Sequence, residues 1–333
     1  MTPPAFWQRD GLLPRLLSPL SAVTTAVTAL RMRHEGWFCP VPVICVGNVT
    51  LGGAGKTTVT LDLARRLVAR GWGAHVLLRG YGGSARGLHW VERDESASVV
   101  GDEALLHAAV APTWTCADRR RGAQALVAAC AEVVLMDDGL QNPGVQKRFS
   151  LLVADGATGF GNGRVFPAGP LREPVAAAAG RCQAAVLIGP DATGAAARLP
   201  RNLPVHRAHL VPGPEAAALA GRRVLGFAGI ALPEKFFATL AEAGAEVISC
   251  WSFPDHHPYA QAELDELLAE AGRLDAVPVT TAKDAVRLPL SVRARVVVLT
   301  VSLAWEDPDA PEDLLRTVIN NWASEGRYRR SHA

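Results

Sequence analysis

The strongest constraint on this chain is a glycine-rich segment, residues 50–57, with the sequence Thr-Leu-Gly-Gly-Ala-Gly-Lys-Thr. It matches the phosphate-loop pattern GxxxxGK[ST], except that Thr50 stands where the pattern has its first glycine. An apolar run over residues 43–46 precedes the segment, and a helix-like stretch follows it. Strand, glycine turn and helix are the context that such a loop requires, so the sequence predicts an α/β fold that binds a nucleotide.

Each residue type in this loop has a chemical task. The glycines let backbone N–H groups point at phosphate oxygens, and the positive end of the following helix favours an anion. Lys56 neutralises charge on the β- and γ-phosphates and is therefore also a candidate catalytic residue, while the Thr57 hydroxyl suits Mg²⁺. The predicted ATP-binding residues are Thr50, Gly52, Gly53, Ala54, Gly55, Lys56, Thr57 and Thr58.

Short apolar runs alternate with helix-like segments after residue 40. The runs expected to be buried strands cover residues 43–46, 76–78, 133–136, 151–154 and 186–188. Such alternation predicts a mostly parallel sheet covered by helices on both faces. A loop over residues 156–174, rich in Gly and Pro, is long enough that a functional role is expected.

A Pro-Gly-Pro stretch at residues 212–214 precedes a second series of strands and helices. We therefore predict three parts. Residues 1–38 hold an N-terminal membrane-surface helix, residues 39–214 form a P-loop NTPase-type domain with a mostly parallel sheet, and residues 215–333 form a smaller α/β domain.

The composition excludes several classes of protein. Of 333 residues, 49% are hydrophobic and 20% are charged, and the net charge is only +2, which is typical of a soluble globular enzyme and not of a nucleic-acid-binding protein. No feature of the sequence indicates an obligate protein partner. The cysteines are scattered without a CxxC pair, which favours reduced cytosolic thiols over disulfides or a zinc site. They are Cys39, Cys45, Cys116, Cys130, Cys182 and Cys250.

The N-terminal segment has a charge-free stretch over residues 16–30, with Arg15 before it and Arg31 after it. It is shorter than the ~20 residues that a membrane span needs, and no signal-peptide cleavage site follows. Leucines and valines recur at spacings of three and four, so one face of a helix is apolar. Such a helix suits a membrane surface, although packing on the protein's own core explains the pattern equally well. Trp7 and Trp37 at the flanks favour the membrane.

Asp137 and Asp138 follow the predicted strand at 133–136, where a carboxylate for Mg²⁺ belongs in a P-loop protein. One of the two could instead cap the turn that follows. Switch proteins, ATPases and kinases all share the phosphate loop. A membrane-associated P-loop ATPase switch and another small-molecule P-loop kinase therefore remain alternatives.

Seven ordered motifs resemble those of the tetraacyldisaccharide 4'-kinases. They lie at residues 46–57, 79–82, 101–103, 137–141, 169–174, 253–259 and 281–286. The family shares the Thr or Ser at the position of Thr50. Leu140, Thr58 and Ala282 depart from the residues most usual in the family, and Ala282 puts in doubt a polar role at that position.

The resemblance implies a reaction, a cofactor and a location. ATP, with Mg²⁺, would phosphorylate the 4'-hydroxyl of a tetraacyldisaccharide 1-phosphate, a lipid A precursor. The reaction would take place at the cytoplasmic face of the inner membrane. The family's membrane-associated N-terminal helix agrees with the amphipathic pattern of residues 12–33.

The resemblance also implies a catalytic pair. Asp102 would accept or orient the proton of the acceptor hydroxyl, supported by His256 or His257. A helix N-cap is the alternative for Asp102, and a loop position without a chemical role is the alternative for either histidine. Because these residues lie in different predicted domains, their pairing requires the cleft to close.

The remaining site residues rest mainly on the resemblance. Glu173 corresponds to a second Mg²⁺-associated carboxylate, and an ordinary surface pair with Arg172 is the alternative. The cluster Arg119, Arg120 and Arg121 suits the anomeric phosphate of the lipid, or else a solvated helix face. The predicted substrate residues are Tyr81, Arg119, Arg120, Arg121, Gln141 and Arg172.

Overall fold

The structure, a computed structural model, describes residues 4–330, without the side chains of residues 321 and 323–330. Thirteen strands in this part form two sheets. The strands are β1 (Val43–Gly47), β2 (Ala74–Leu78), β3 (His89–Trp90), β4 (Thr113–Thr115), β5 (Val133–Asp137), β6 (Phe149–Asp155), β7 (Ala184–Ile188), β8 (Val205–Pro212), β9 (Arg223–Ala228), β10 (Glu246–Ser252), β11 (Val277–Thr281), β12 (Val297–Leu299) and β13 (Val301–Trp305).

Helices connect most of these strands. They are α1 (Leu12–Arg31), α2 (Lys56–Ala69), α3 (Ala97–Val100), α4 (Asp102–Ala108), α5 (Arg119–Ala128), α6 (Val175–Ala179), α7 (Pro233–Glu242), α8 (Gln261–Arg273), α9 (Ala282–Ala285), α10 (Leu290–Arg293) and α11 (Ala310–Arg330).

The larger sheet has nine strands in the order β13-β8-β7-β6-β1-β5-β2-β4-β3. Its strands are parallel except at the two edges, where β13 pairs with β8 and β3 pairs with β4 in antiparallel register. The predicted α/β fold with a mostly parallel sheet is confirmed. Strand β1 lies between β5 and β6, so segments that follow their carboxyl ends meet at one edge, where α/β sheets bind ligands.

Both faces of this sheet are covered, as the predicted alternation requires. Successive side chains of β1 enter opposite cores: Ile44 and Val46 pack with Leu63 of α2, whereas Cys45 packs with Leu126 of α5. Each fully buried side chain of this size contributes about 1.5–3 kcal/mol. Packing on two faces therefore fixes the ends of β1 and β5.

The smaller sheet has four parallel strands in the order β10-β9-β11-β12. The prediction assigned residues 215–333 to the second domain, and the structure corrects its end. Strand β13 pairs with β8 of the larger sheet, and Leu314, Leu315 and Val318 of α11 join the core of the first domain. The apolar run at 296–300, predicted as one strand, ends in the second sheet at Leu299, and the chain then returns to the first.

Helix α1 confirms the predicted N-terminal helix but turns its polar side inward. The Ser21 hydroxyl is buried and donates to the carbonyl of Val165 at 2.6 Å, while the backbone N–H of Ala168 donates to Ser21 Oγ at 3.2 Å. The apolar residues left exposed are Leu12, Leu13, Leu16, Leu20, Val23, Val27 and Leu30. Among the described residues, no helix has the length and apolar character that crossing a membrane demands.

All six cysteines are free thiols. Four of them are buried, and Cys130 and Cys250 are exposed. The prediction of mostly buried, unpaired thiols is confirmed.

Candidate active site

The phosphate loop lies at the carboxyl end of β1 and leads directly into α2. Gly55 precedes the helix with φ +83°, and a Cβ there would lie 2.5 Å from Cδ1 of Ile188, so the position needs glycine. Asn48 is fully buried and donates to the Thr50 hydroxyl at 3.0 Å. That bond gives Thr50 a structural use at the place where the usual pattern has glycine.

The long loop over residues 156–174 holds the phosphate loop from the side. The N–H of Leu51 donates to the carbonyl of Pro170, and the N–H of Arg172 donates to that of Val49, both at 2.7 Å. Thr50 and Leu171 form an isolated antiparallel bridge. The loop therefore brings Arg172 to the nucleotide site, while Gly53, Ala54 and Thr58 occupy the phosphate loop and the first turn of α2.

Asp137 ends β5 next to the phosphate loop and is 2% exposed. Its Oδ2 contacts Nε2 of His107 at 2.9 Å, whereas its Oδ1 is buried without a hydrogen-bond partner in the described part of the chain. Burial raises the pKa of Asp137, but the hydrogen bond and charge of His107, the charge of Lys56 and the nearby Thr57 hydroxyl outweigh it and hold the pKa below its ordinary value. A buried ionised oxygen without a donor suits a cation.

Asp138 follows in a left-handed conformation, with φ +53°. This directs its carboxylate to Nη1 of Arg172 at 2.8 Å, with Nζ of Lys56 at 3.8 Å. Non-glycine residues with positive φ are uncommon and concentrate at functional sites. Two cations thus converge on one carboxylate beside the phosphate loop.

Asp102 begins α4 directly after Gly101. Gly101 has φ +88°, and a Cβ there would collide with the carbonyl oxygen of Tyr81, so the position needs glycine. Oδ2 of Asp102 lies 2.9 Å from Nδ1 of His256 and 3.9 Å from Nε of Arg287. Burial raises the pKa of Asp102, but the hydrogen bond and charge of His256, with Lys283 and Arg287, bring it below the ordinary value. The same hydrogen bond raises the pKa of His256.

The structure pairs His256, and not His257, with Asp102. His256 adopts φ +59°, whereas the side chain of His257 turns away, stacks on Phe253 at 4.8 Å and bonds to Glu263 at 2.9 Å. Of the two histidines predicted as partners of Asp102, only His256 is placed to pair with it.

Glu103 connects the two domains at the phosphate loop. Its Oε1 accepts from the Thr57 hydroxyl at 3.3 Å and from Nζ of Lys283 at 3.2 Å. The Thr57 hydroxyl, which is predicted to bind Mg²⁺, therefore donates to Glu103, and Lys283 of the second domain holds that carboxylate in place.

The structure gives Glu173 a different set of partners from those predicted. It is 2% exposed, and both of its oxygens accept from Nη2 of Arg181, at 2.7 and 2.8 Å. Gln141 also donates to Glu173 at 3.0 Å and to the carbonyl of Asn48 at 2.9 Å. A magnesium role for Glu173 remains a prediction.

The predicted arginine cluster is divided. Arg119 is buried and donates to the carbonyl of Cys116 at 2.5 Å, whereas Arg120 and Arg121 are exposed at the start of α5. Tyr81 is exposed and lies edge-on to His256, with 6.2 Å between ring centroids. Only Tyr81 of these four directly adjoins the Asp102–His256 pair.

Three contributors escaped the sequence analysis: His107, Arg181 and Arg287. His107 and Arg181 belong to no recognised motif, and Arg287 lies one residue beyond the last one. The partners of His107 and Arg181 lie 30 and eight residues away along the chain, so spacing alone offers no signal for them. Arg287 does bond to Asp284, three residues before it, but its 3.9 Å approach to Asp102 joins residues far apart in sequence.

The residues around the phosphate loop fit Mg²⁺. In residues 4–330, no group of three or more His, Cys, Asp or Glu side chains is placed to hold a metal ion by itself. Mg²⁺ is usually held by one or two carboxylates together with nucleotide phosphates, which suits the unpartnered Oδ1 of Asp137 beside Thr57.

A family model described as tetraacyldisaccharide-1-P 4'-kinase matches residues 13–320. A tetraacyldisaccharide 4'-kinase of Gluconacetobacter diazotrophicus is 56% identical over 318 residues, covering 95% of this chain and 97% of the relative. One of Rhodospirillum centenum is 52% identical over 335 residues, covering 98% and 99%. Among solved structures, LpxK from Aquifex aeolicus in complex with ATP superposes with a TM-score of 0.75 at 24% identity, covering 92% of this chain and 99% of that one. This last likeness supports the fold.

Proposed function

Since this chain belongs to the tetraacyldisaccharide-1-P 4'-kinase family, we propose that it transfers the γ-phosphoryl group of ATP to the 4'-hydroxyl of a tetraacyldisaccharide 1-phosphate in lipid A biosynthesis. The family match over residues 13–320 carries this proposal, because it includes the phosphate loop and the second-domain histidine motif together. The activity is that of a kinase, a transferase that uses ATP. A P-loop ATPase switch would not need the Asp102–His256 pair.

The nucleotide half of the reaction belongs to the first domain. The phosphate loop and the start of α2 cradle the phosphates, and Lys56 offsets the negative charge that moves toward the leaving ADP. Thr57, Asp137 and Asp138 would hold Mg²⁺. The ion would supply charge neutralisation on the β- and γ-phosphate oxygens.

The acceptor half depends on the pair between the domains. Asp102 takes the proton of the 4'-hydroxyl as the oxygen bonds to the γ-phosphorus and the bond from that phosphorus to the ADP oxygen breaks. His256 orients Asp102 and disperses its charge through the 2.9 Å contact. Tyr81, beside His256, is placed to contact the acceptor sugar.

Radiolabelled ATP separates the candidate activities. We expect label to appear on a tetraacyldisaccharide 1-phosphate acceptor in a Mg²⁺-dependent reaction, resolved from free phosphate by thin-layer chromatography. A switch ATPase would release phosphate equally well without acceptor. Transfer only to a water-soluble acceptor would identify a different small-molecule kinase.

Lys56→Ala tests the phosphate-loop assignment. Loss of a cation from the transferring phosphoryl group costs about 3–4 kcal/mol, so we expect kcat to fall at least ~10²-fold while the fold is retained. Arg273→Ala removes an exposed cation of α8 and serves as the control, with unchanged activity expected. Wild-type turnover by a folded Lys56→Ala protein would contradict the assignment.

We further propose that α1 holds the enzyme on the cytoplasmic face of the inner membrane as a peripheral protein. A helix that packs on a soluble core buries its apolar face, yet α1 buries Ser21 and exposes Leu16, Leu20 and Val23. An outward apolar stripe ending in Arg31 suits an interface with anionic lipid. The acylated acceptor is itself confined to a membrane.

Replacing the stripe tests this proposal. The triple variant Leu16→Ser, Leu20→Ser, Val23→Ser should lose at least tenfold in binding to vesicles of anionic phospholipid, with ATP affinity unchanged. A control with Ala22→Ser, Ala26→Ser and Ala29→Ser adds the same hydroxyls to exposed positions but removes little apolar surface. Equal vesicle binding by both variants would contradict membrane attachment through α1.

A further inference from the structure

His107 forms a buried pair with Asp137 and has no part in the reaction described above. His107 is 0% exposed and Asp137 is 2% exposed, and Nε2 of the imidazole lies 2.9 Å from Oδ2 of the carboxylate. Nδ1 of His107 and Oδ1 of Asp137 are both buried without a hydrogen-bond partner in the described part of the chain. Each residue therefore directs one polar atom at the other and leaves one unpaired.

We propose that His107 is a positioning residue that fixes the rotation of the Asp137 carboxylate and directs its free Oδ1 at the metal. The proposal rests on the proposed function insofar as that function assigns Mg²⁺ to Asp137.

The hydrogen-bond inventory supports this role. The tautomer with hydrogen on Nε2 donates to the carboxylate and leaves Nδ1 as an acceptor only. The opposite tautomer would bury an N–H without an acceptor and place two acceptors 2.9 Å apart. One oxygen of Asp137 is thus held by a donor, and the other has a set direction and no hydrogen-bond partner in the described part of the chain.

The backbone adds a second constraint. His107 and Asp102 lie five residues apart on α4, about 1.4 turns, so their side chains leave nearly opposite sides of the helix. One side of α4 holds Asp137 and the other presents Asp102 to His256. The short helix thereby fixes the distance between the metal-binding carboxylate and the proposed base.

Outer partners of metal ligands commonly change metal affinity or activity 10- to 100-fold when removed. In the full-length protein, His107→Asn is too short to reach Asp137, whereas His107→Gln places an amide N–H where Nε2 lies. His75→Asn replaces another buried histidine of the first domain, on β2, and controls for general damage to the core.

The readout is nucleotide affinity by isothermal titration calorimetry, with ATP in Mg²⁺ and ATP in EDTA, together with Mn²⁺ binding to the ATP complex by electron paramagnetic resonance. For His107→Asn we expect the gain in ATP affinity caused by Mg²⁺, and the Mn²⁺ affinity, to fall about 10- to 100-fold. Affinity in EDTA should stay within about twofold. His107→Gln and His75→Asn should keep the wild-type metal dependence even where thermal stability falls.

Unchanged metal dependence in His107→Asn would overturn the proposal, as would an equal loss in His107→Gln and His107→Asn. If the wild-type protein bound ATP equally well with and without Mg²⁺, the metal premise would fail and the proposal with it. A protein with metal-dependent ATP binding but no transfer to the lipid acceptor would instead refute the proposed function and leave the His107 result standing.

Discussion

Two histidine–aspartate pairs flank helix α4, and both have a contact of 2.9 Å. His107 and Asp137 lie inside the first domain and are almost inaccessible, whereas His256 comes from the second domain and its side chain is 37% exposed. A pair that exchanges a proton with an acceptor has to be reachable from the cleft, while a pair that only orients a carboxylate is better buried. We therefore expect the same bond to serve chemistry at one end of α4 and positioning at the other.

The largest effect should come from the Asp102–His256 pair. Asp102→Ala should lower kcat about 10²- to 10⁴-fold, the usual range of a general base, with little change in KM for ATP. His256→Ala should also lower kcat, and the double variant should be no worse than about the worse single one, because paired residues act as a unit.

These measurements use saturating ATP and acceptor. Fully multiplicative losses would break the comparison, since the two residues would then act independently, and the kinase assignment would still stand.

The contribution of the Asp102–His256 pair to the stability of the protein should depend on pH. The pKa of His256 is raised above its ordinary 6.5, so its contribution to the free energy of unfolding is complete below pH 6.5 and declines as pH rises through the raised pKa. Asp102, with a lowered pKa, contributes fully above its ordinary 3.8. The pair therefore stabilises most between these values, by about 1 kcal/mol or less because solvent screens His256.

Thermal melting of the wild type and His256→Asn checks this prediction, since asparagine tolerates the positive φ at this position. The difference in Tm should be larger at pH 5.5 than at pH 9. A difference that grows toward pH 9 would show that the pair is not held by charge.

The smallest effect should come from the neighbouring histidine. His257→Ala should leave kcat within about threefold of the wild type, because His257 bonds to Glu263 and stacks on Phe253 instead of reaching Asp102. This variant is the matched control for His256→Ala. A loss as large as that of His256→Ala would mean that the loop, and not one imidazole, is the functional unit.

The sequence predicted the central elements well because their signals are local. The strand before the phosphate loop, the loop and helix α2 follow from one continuous motif. The return of β13 and α11 to the first domain could not be predicted, since a single apolar run at 296–300 contains the change of sheet. Strands β3 and β4 are two and three residues long, too short for a period to be recognised.

In the candidate site, too, the residues that carry a local sequence signal were predicted and those without one were missed. Motifs drew attention to Asp102 and to the adjacent histidines His256 and His257. The choice between the two histidines depends on the left-handed backbone of His256, and the sequence His-His does not reveal which of them adopts it. Glu173 has a motif signal, yet its partner Arg181 has none. A buried ion pair and a metal ligand look alike in sequence because both need a carboxylate.

The pairing of β8 with β13 makes the second domain an insertion whose two chain connections to the first domain lie side by side. Pro212 lies directly opposite Val301, and the N–H of Gly213 donates to the carbonyl of Thr300 at 2.8 Å, so the chain leaves and re-enters the larger sheet at the same place. Residues 213–300 could therefore be cut out and the ends joined by a turn of about two residues, which would convert the edge strand β13 and its neighbour β8 into a hairpin.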